Sequence, residues 1–103
     1  MWQLIIEYLS FDIPQPAQAA FIAHDAAIWT PALARSDGFL GKEVWRQRDQ
    51  PTWITLVIRW RAKGDWDAVD RELLARTQAV FVAALGEEYP VLSCTAFEVV
   101  SPA

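Results

Sequence analysis

The chain has 103 residues, of which 53% are apolar and 21% charged; that is the size of one folded domain and excludes a disordered chain. A net charge of −4 and a pI near 4.8 exclude nucleic acid as a partner, because phosphate binding needs a basic face. The apolar tracts are broken by Glu7, His24 and Asp25 and are too short to span a bilayer, which excludes a membrane span.

Residues 2–11, from Trp2 to Phe11, are rich in β-branched and aromatic types and end at Pro14 and Pro16, which predicts a strand. Both of its alternating faces are apolar, as in a strand covered on two sides. Pro16 suits a first helical turn, and Ala17 to about Ala34 reads as helix, with Phe21, Ile28 and Leu33 in one row and Ile22 and Trp29 beside them. Thr30-Pro31 predicts a kink or a new short helix, since proline lacks an N–H and disfavours α geometry before it. Asp37-Gly38 closes the segment.

Phe39 to Gln47 and Trp53 to Arg61 flank the polar turn Arg48-Asp49-Gln50-Pro51, which predicts a hairpin. In its second strand Ile54, Leu56, Ile58 and Trp60 share a clean apolar face that belongs under helices. Trp53, Thr55, Val57 and Arg59 share the other face. In the first strand Leu40 and Val44 oppose Phe39, Glu43 and Trp45. Asp65 is the expected N-cap of a long second helix, with Trp66, Val69, Leu73, Val80 and Ala84 as its stripe, widened by Leu74, Phe81 and Leu85. Gly86 is a natural left-handed stop. A last strand is expected over Leu92 to Val100. No repeat, low-complexity tract or linker interrupts the pattern, so residues 1–103 are read as one domain.

The order β-α-β-β-α-β is the ferredoxin-like α+β arrangement, a four-stranded antiparallel sheet with helices on one side. Its other side meets water or a partner, and here it is too aromatic for water. A domain of this size buries only about 60–70% of its extended-chain surface. Its six tryptophans are therefore hard to hide within one monomer, and a homodimer closing sheet against sheet is expected. The N-terminus has no basic stretch ahead of its apolar run, so no secretory signal is read and a cytoplasmic location is expected. The lone Cys94 lies in an apolar strand and reads as a packed thiol.

The segments Gly38-Phe39-Leu40-Gly41-Lys42-Glu43-Val44-Trp45 and Val57-Ile58-Arg59-Trp60, followed by an acidic helix start with Trp66, resemble the antibiotic-biosynthesis-monooxygenase-like branch of the dimeric α/β-barrel superfamily. Ile28-Trp29-Thr30-Pro31-Ala32-Leu33 is similar to a set of its small members without assigned activity. The resemblance implies a dimeric α/β barrel, in a branch that includes cofactor-independent oxygenases of aromatic polyketides, quinol oxygenases and haem-degrading enzymes. In the haem-degrading members a Trp ending the third strand works with a His about ten positions later and an Asn in the first strand. Trp60 matches that Trp, but Asp70 and the neighbourhood of Glu7 stand at the other two places. The oxygenases favour pockets with Trp, Tyr, Asn and Arg; Trp60, Tyr8 and Arg59 are candidates here, and the chain has no asparagine.

The candidate chemistry rests on a few residues, each with a bland alternative. His24, the only histidine, sits beside Asp25 on the first helix, as a general base or as a surface residue. Glu7 interrupts an apolar strand, either paired with Arg59 or another cation, or left with a raised pKa as an acid or base. Trp29, Trp45 and Trp60 either wall a flat aromatic ligand or serve as core and dimer packing. No second His or Cys stands at ligand spacing, so no metal is expected, and no cofactor is implied. Two functions stay open. One is an enzyme that oxidises or isomerises a small, flat, apolar substrate without a cofactor. In it Tyr8, His24 or Glu7 would handle protons, Arg59 would hold an anionic oxygen, and Trp29, Trp45 and Trp60 would bind the ring. The other is a non-catalytic dimer that binds a small ligand or only assembles. A cavity with Glu7 or His24 pointing into it favours the first.

Overall fold

The computed structural model describes residues 4–101; Trp2 lies outside them. Strand β1 runs Ile5–Asp12, and Pro16 sits in the first turn of helix α1, Gln15–His24. A π-helical segment, Asp25–Trp29, joins α1 to the short helix α2, Thr30–Ala34. Pro31 has no N–H for the carbonyl four residues back. The backbone widens just ahead of it, the Thr30 N–H reaching back to the Asp25 carbonyl, so the expected kink takes the form of a π turn.

Strands β2, Phe39–Gln47, and β3, Gln50–Trp60, make the expected hairpin, with a turn shorter than the four residues read from sequence. Gln47 pairs with Gln50, which draws Pro51 into the strand. Pro51 lies beyond the β1 pairing, which ends at Asp12 and Trp53, so its missing N–H breaks no ladder there. The sheet order is β2-β3-β1-β4 with every pair antiparallel, and β4 is Ser93–Glu98. This is the α+β, β-α-β-β-α-β fold expected from the order of elements.

Three local expectations are corrected. A β-bulge between Phe39 and Gly41 takes Leu40 out of the ladder. Phe39 therefore stands opposite Trp60 and packs its ring edge on it, centroids 5.8 Å apart, rather than sharing a face with Glu43 and Trp45. The second helix is two helices, α3 at Lys63–Asp67 and α4 at Arg71–Leu85. The cap is Asp70, which accepts from the Glu72 N–H at 3.1 Å, while Asp65 lies inside α3 and binds Arg61. That break resets the helical phase, so α4 buries Thr77 and Phe81 and leaves Val80 exposed. Cys94 is exposed on the edge strand rather than packed.

The core lies between the sheet and the helices. Phe11, Ile13, Phe21, Ile54, Leu56 and Phe81 form one cluster; Ile5, Leu33, Ile58, Trp60 and Val69 form the other. Phe21 is the hub of the first, meeting Phe11, Phe81 and Tyr89 at 5.3, 5.4 and 6.1 Å between centroids. Gln18, buried beneath α1, donates to the Ile13 and Pro51 carbonyls and accepts from Arg46, which ties the hairpin to the helix layer. On the opposite sheet face Ser10 and Thr55 share a buried hydrogen bond, and the rings of Tyr8, Trp45 and Phe97 stand nearby, the last two half exposed.

Gly38 adopts φ +82°, and a Cβ there would run into the Asp65 carboxylate. Phe21→Ala is expected to lower stability by about 3–5 kcal/mol in urea unfolding, with the β-sheet signal and the aromatic near-UV signal lost together.

Candidate functional site

The odd residues of β1 point toward the helices. Ile5, Leu9 and Phe11 are apolar there, and Glu7 is the exception. A cavity of about 370 Å³ opens above it. The sheet contributes Glu7, Leu9, Lys42, Ile58 and Trp60; Trp29 and Leu33 wall one side; Trp66, Asp67 and Val69 come from α3 and the turn after it. Arg71, Leu74 and Gln78 of α4 and Tyr89 and Val91 before β4 line the cavity as well, with Phe11 and Leu56 of the sheet. The lining is mainly apolar and aromatic with a few convergent polar groups, as in small-ligand sites generally.

Trp60, fully buried, donates its indole N–H to Glu7 Oε1 at 3.0 Å. Burial raises the Glu7 pKa above the ordinary carboxylate value, against the opposing effects of the Trp60 hydrogen bond and the charges of Lys42 and Lys63. The result is a carboxyl held in one orientation, at the edge of an apolar space, with an elevated proton affinity.

The second polar element is an ion pair. Lys42 Nζ lies 2.7 Å from Asp25 Oδ1, and both side chains are almost wholly buried, 3% and 2% exposed. Asp25 begins the π segment and Lys42 follows the bulge of β2, so two irregularities of the backbone meet at this contact. Burial also raises the Asp25 pKa, opposed by the charge and hydrogen bond of Lys42.

The residues singled out by sequence divide by sheet face. Glu7, Trp29 and Trp60 come together in the cavity. Tyr8, Trp45 and Arg59 lie on the opposite face, where Tyr8 packs edge-on against Trp45 and Phe97 at 6.4 and 5.7 Å. There Glu43 accepts from the Trp45 indole at 3.0 Å and lies 3.5 Å from Arg59. Of the alternatives read for Glu7, the pairing with Arg59 does not form, because the two residues occupy opposite faces; Glu7 accepts from Trp60 and has a raised pKa. His24 ends α1, half-buried, and is not among the cavity-lining residues. Lys42 and Asp25 were not singled out. Their signal was a charge of each sign inside mainly apolar segments, beside His24 and Glu43, but pairing them required the tertiary fold. Among the described residues no group of three or more His, Cys, Asp or Glu is placed to hold a metal ion, and no helix is long and apolar enough to cross a membrane.

No family model matches the chain, and no curated protein matches it by sequence. Solved structures do. Several are described as a putative antibiotic biosynthesis monooxygenase. That of Bordetella bronchiseptica is 20% identical over 98% of this chain and 99% of its own, with a TM-score of 0.71. That of Caulobacter crescentus CB15 is 9% identical over 97% and 92%, with a TM-score of 0.69. A conserved protein from Methanosarcina mazei Go1 is 14% identical over 92% and 91%, with a TM-score of 0.66. The chain has the fold of these proteins along nearly its whole length.

Two predictions follow from the buried charges. Folded Glu7 has a raised pKa, so between the ordinary value of 4.5 and its folded value the native state binds more protons than the unfolded one. Stability contributed by the protonated carboxyl is present below that window and is lost as pH rises through it. Glu7→Gln keeps an acceptor for Trp60 but no longer titrates, so urea midpoints measured from pH 4 to 8 are expected to gain on the parent chain as pH rises. Lys42→Met leaves Asp25 buried without its cation and is expected to cost about 3–5 kcal/mol, while the Asp25→Asn, Lys42→Met double variant recovers most of that loss.

Proposed function

We propose that the chain works as a cytoplasmic homodimer whose cavity takes a small, flat, mainly apolar substrate and removes a proton from it with Glu7, without a cofactor. The observation that carries this reading is a half-buried carboxyl of raised pKa, oriented by Trp60, in a cavity walled by Trp29, Trp60 and Trp66. A base is most effective when its pKa approaches the working pH, and burial moves Glu7 in that direction. The half-buried rings of Trp29 and Trp66 suit stacking on a flat ligand. Two outcomes are open to the anion so formed. Returned at a second carbon, the proton gives an isomer. With dioxygen as co-reactant, a CH₂ group becomes C=O, one oxygen atom entering the substrate and the other leaving as water. The solved proteins described as monooxygenases, which share this fold, support the second course.

The homodimer is supported by the outer sheet face, where Trp45 is 47% and Phe97 50% exposed beside Tyr8. An aromatic surface of this kind supports a partner subunit packed against it. The single Cys94, exposed and unpaired by disulfide, fits a reducing compartment.

The test is turnover of anthrones, hydroquinones and flat aromatic ketones, followed by oxygen uptake and by deuterium incorporation from D₂O. Glu7→Gln is expected to lower the rate by at least about 10²-fold while leaving binding intact. Ligand bound but unchanged by the parent chain, or turned over equally well by Glu7→Gln, would make this a ligand-binding protein rather than an acid–base enzyme. Native mass spectrometry is expected to give a dimer that Phe97→Asp converts to monomer.

A further inference from the structure

The acid of the cavity and one of its two lining cations, Lys42, stand in one row of the sheet. Lys42 pairs with Ile58 across β2 and β3, and Ile58 pairs with Glu7 across β3 and β1. Two strand spacings separate their backbones, about 10 Å, with only the Ile58 side chain between them on the helix-facing side. An ammonium group has three donors. Among the described residues Lys42 Nζ donates to Asp25 Oδ1, and Lys42 is part of the cavity lining. A buried pair kept for stability alone is replaceable by apolar residues of similar volume, and such a role gives no reason for Lys42 to stand in the lining of a ligand space.

The same five-residue π segment that places Asp25 also carries Trp29 into the cavity wall. A flat wall, a carboxyl and an ammonium in contact with Asp25 therefore converge on one space. Taking the proton leaves Glu7 neutral, so the charge left on the ligand is stabilised by a cation of the lining; of the two, Lys42 and Arg71, Lys42 shares a sheet row with Glu7, and the charge has to travel along that row to reach it. That requires conjugation across the ring.

Resting on the proton-abstraction reading above, we propose that Lys42, fixed by Asp25, receives the negative charge of the bound ligand. The cavity then selects flat conjugated acids whose anion carries charge on an oxygen across the ring from the proton lost. Lys42 contacts the anionic oxygen, Asp25 is a positioning residue behind it, and the π turn sets the distance between that pair and the stacking wall.

The probe is 4-nitrophenol, whose anion spreads charge from the hydroxyl oxygen through the ring to the nitro group. It is compared with 3-nitrophenol, in which resonance does not reach that group. Binding is read by quenching of tryptophan fluorescence and ionisation by the nitrophenolate absorption band, at a pH where the free phenol is half ionised. The parent chain is expected to bind 4-nitrophenol as the anion, raising its acidity about tenfold, and to shift 3-nitrophenol less. Lys42→Arg keeps most of the shift. Lys42→Met, and the Asp25→Asn, Lys42→Met variant that folds without an unpaired buried charge, keep the quenching and lose the shift. Quenching by both isomers with no ionisation shift in the parent chain, or a shift that survives in the double variant, overturns the role of Lys42 and leaves the cavity reading standing. No quenching by either isomer overturns the cavity reading itself, and this inference with it.

Discussion

Charge held beneath the helices is the constraint around which this small domain is arranged. Burying a carboxylate is strongly unfavourable unless hydrogen bonds or a counter-charge replace the lost water. The fold meets that demand twice by different means. Glu7 is given an indole donor and an elevated proton affinity; Asp25 is given an ammonium group at contact distance. Both solutions draw on backbone that departs from regular structure only near the second pair, where a π turn and a β-bulge face each other. The regular part of the sheet carries the acid, and the irregular part carries the cation.

The two faces of the sheet divide their work accordingly. The helix-facing side holds the core clusters and the cavity in series, so that Trp60 is at once fully buried core and hydrogen-bond donor to the candidate base. The outer side is held within the chain by the buried Ser10–Thr55 hydrogen bond and is otherwise dressed with large rings and the Glu43–Arg59 pair. On the reading proposed above, a sheet whose faces differ this sharply keeps ligand chemistry apart from assembly, with β1 and β3 as the central strands common to both.

Much of this was legible in the residues. Alternation in Ile54, Leu56, Ile58 and Trp60 located the helix-facing side of β3, and Gly86, at φ +75°, ends α4 as its lack of a side chain suggests. Glu7 and Trp60 stood out because each breaks or closes a strand pattern. The face of Glu7 was not legible, since β1 is apolar on both sides and periodicity then carries no sign. The split of the second helix escaped because three aspartates, Asp65, Asp67 and Asp70, are all competent caps, and only the packing of Trp66 and Val69 decides among them. Lys42 and Asp25 lie 17 positions apart on different elements, and nothing local announces their contact.

The bulge at Leu40 has a parity consequence. Side chains alternate along a strand, so one residue absorbed or omitted exchanges the faces of everything beyond it. With Leu40 outside the ladder, Lys42 looks toward Glu7 and Glu43 looks outward to Arg59. Were Leu40 taken into the pairing opposite Arg59, Glu43 would turn beneath the helices and Lys42 would leave them. The electrostatic polarity of the cavity is therefore written in a count of backbone units, and a change of length by a single residue in β2 can invert it without altering a single side chain.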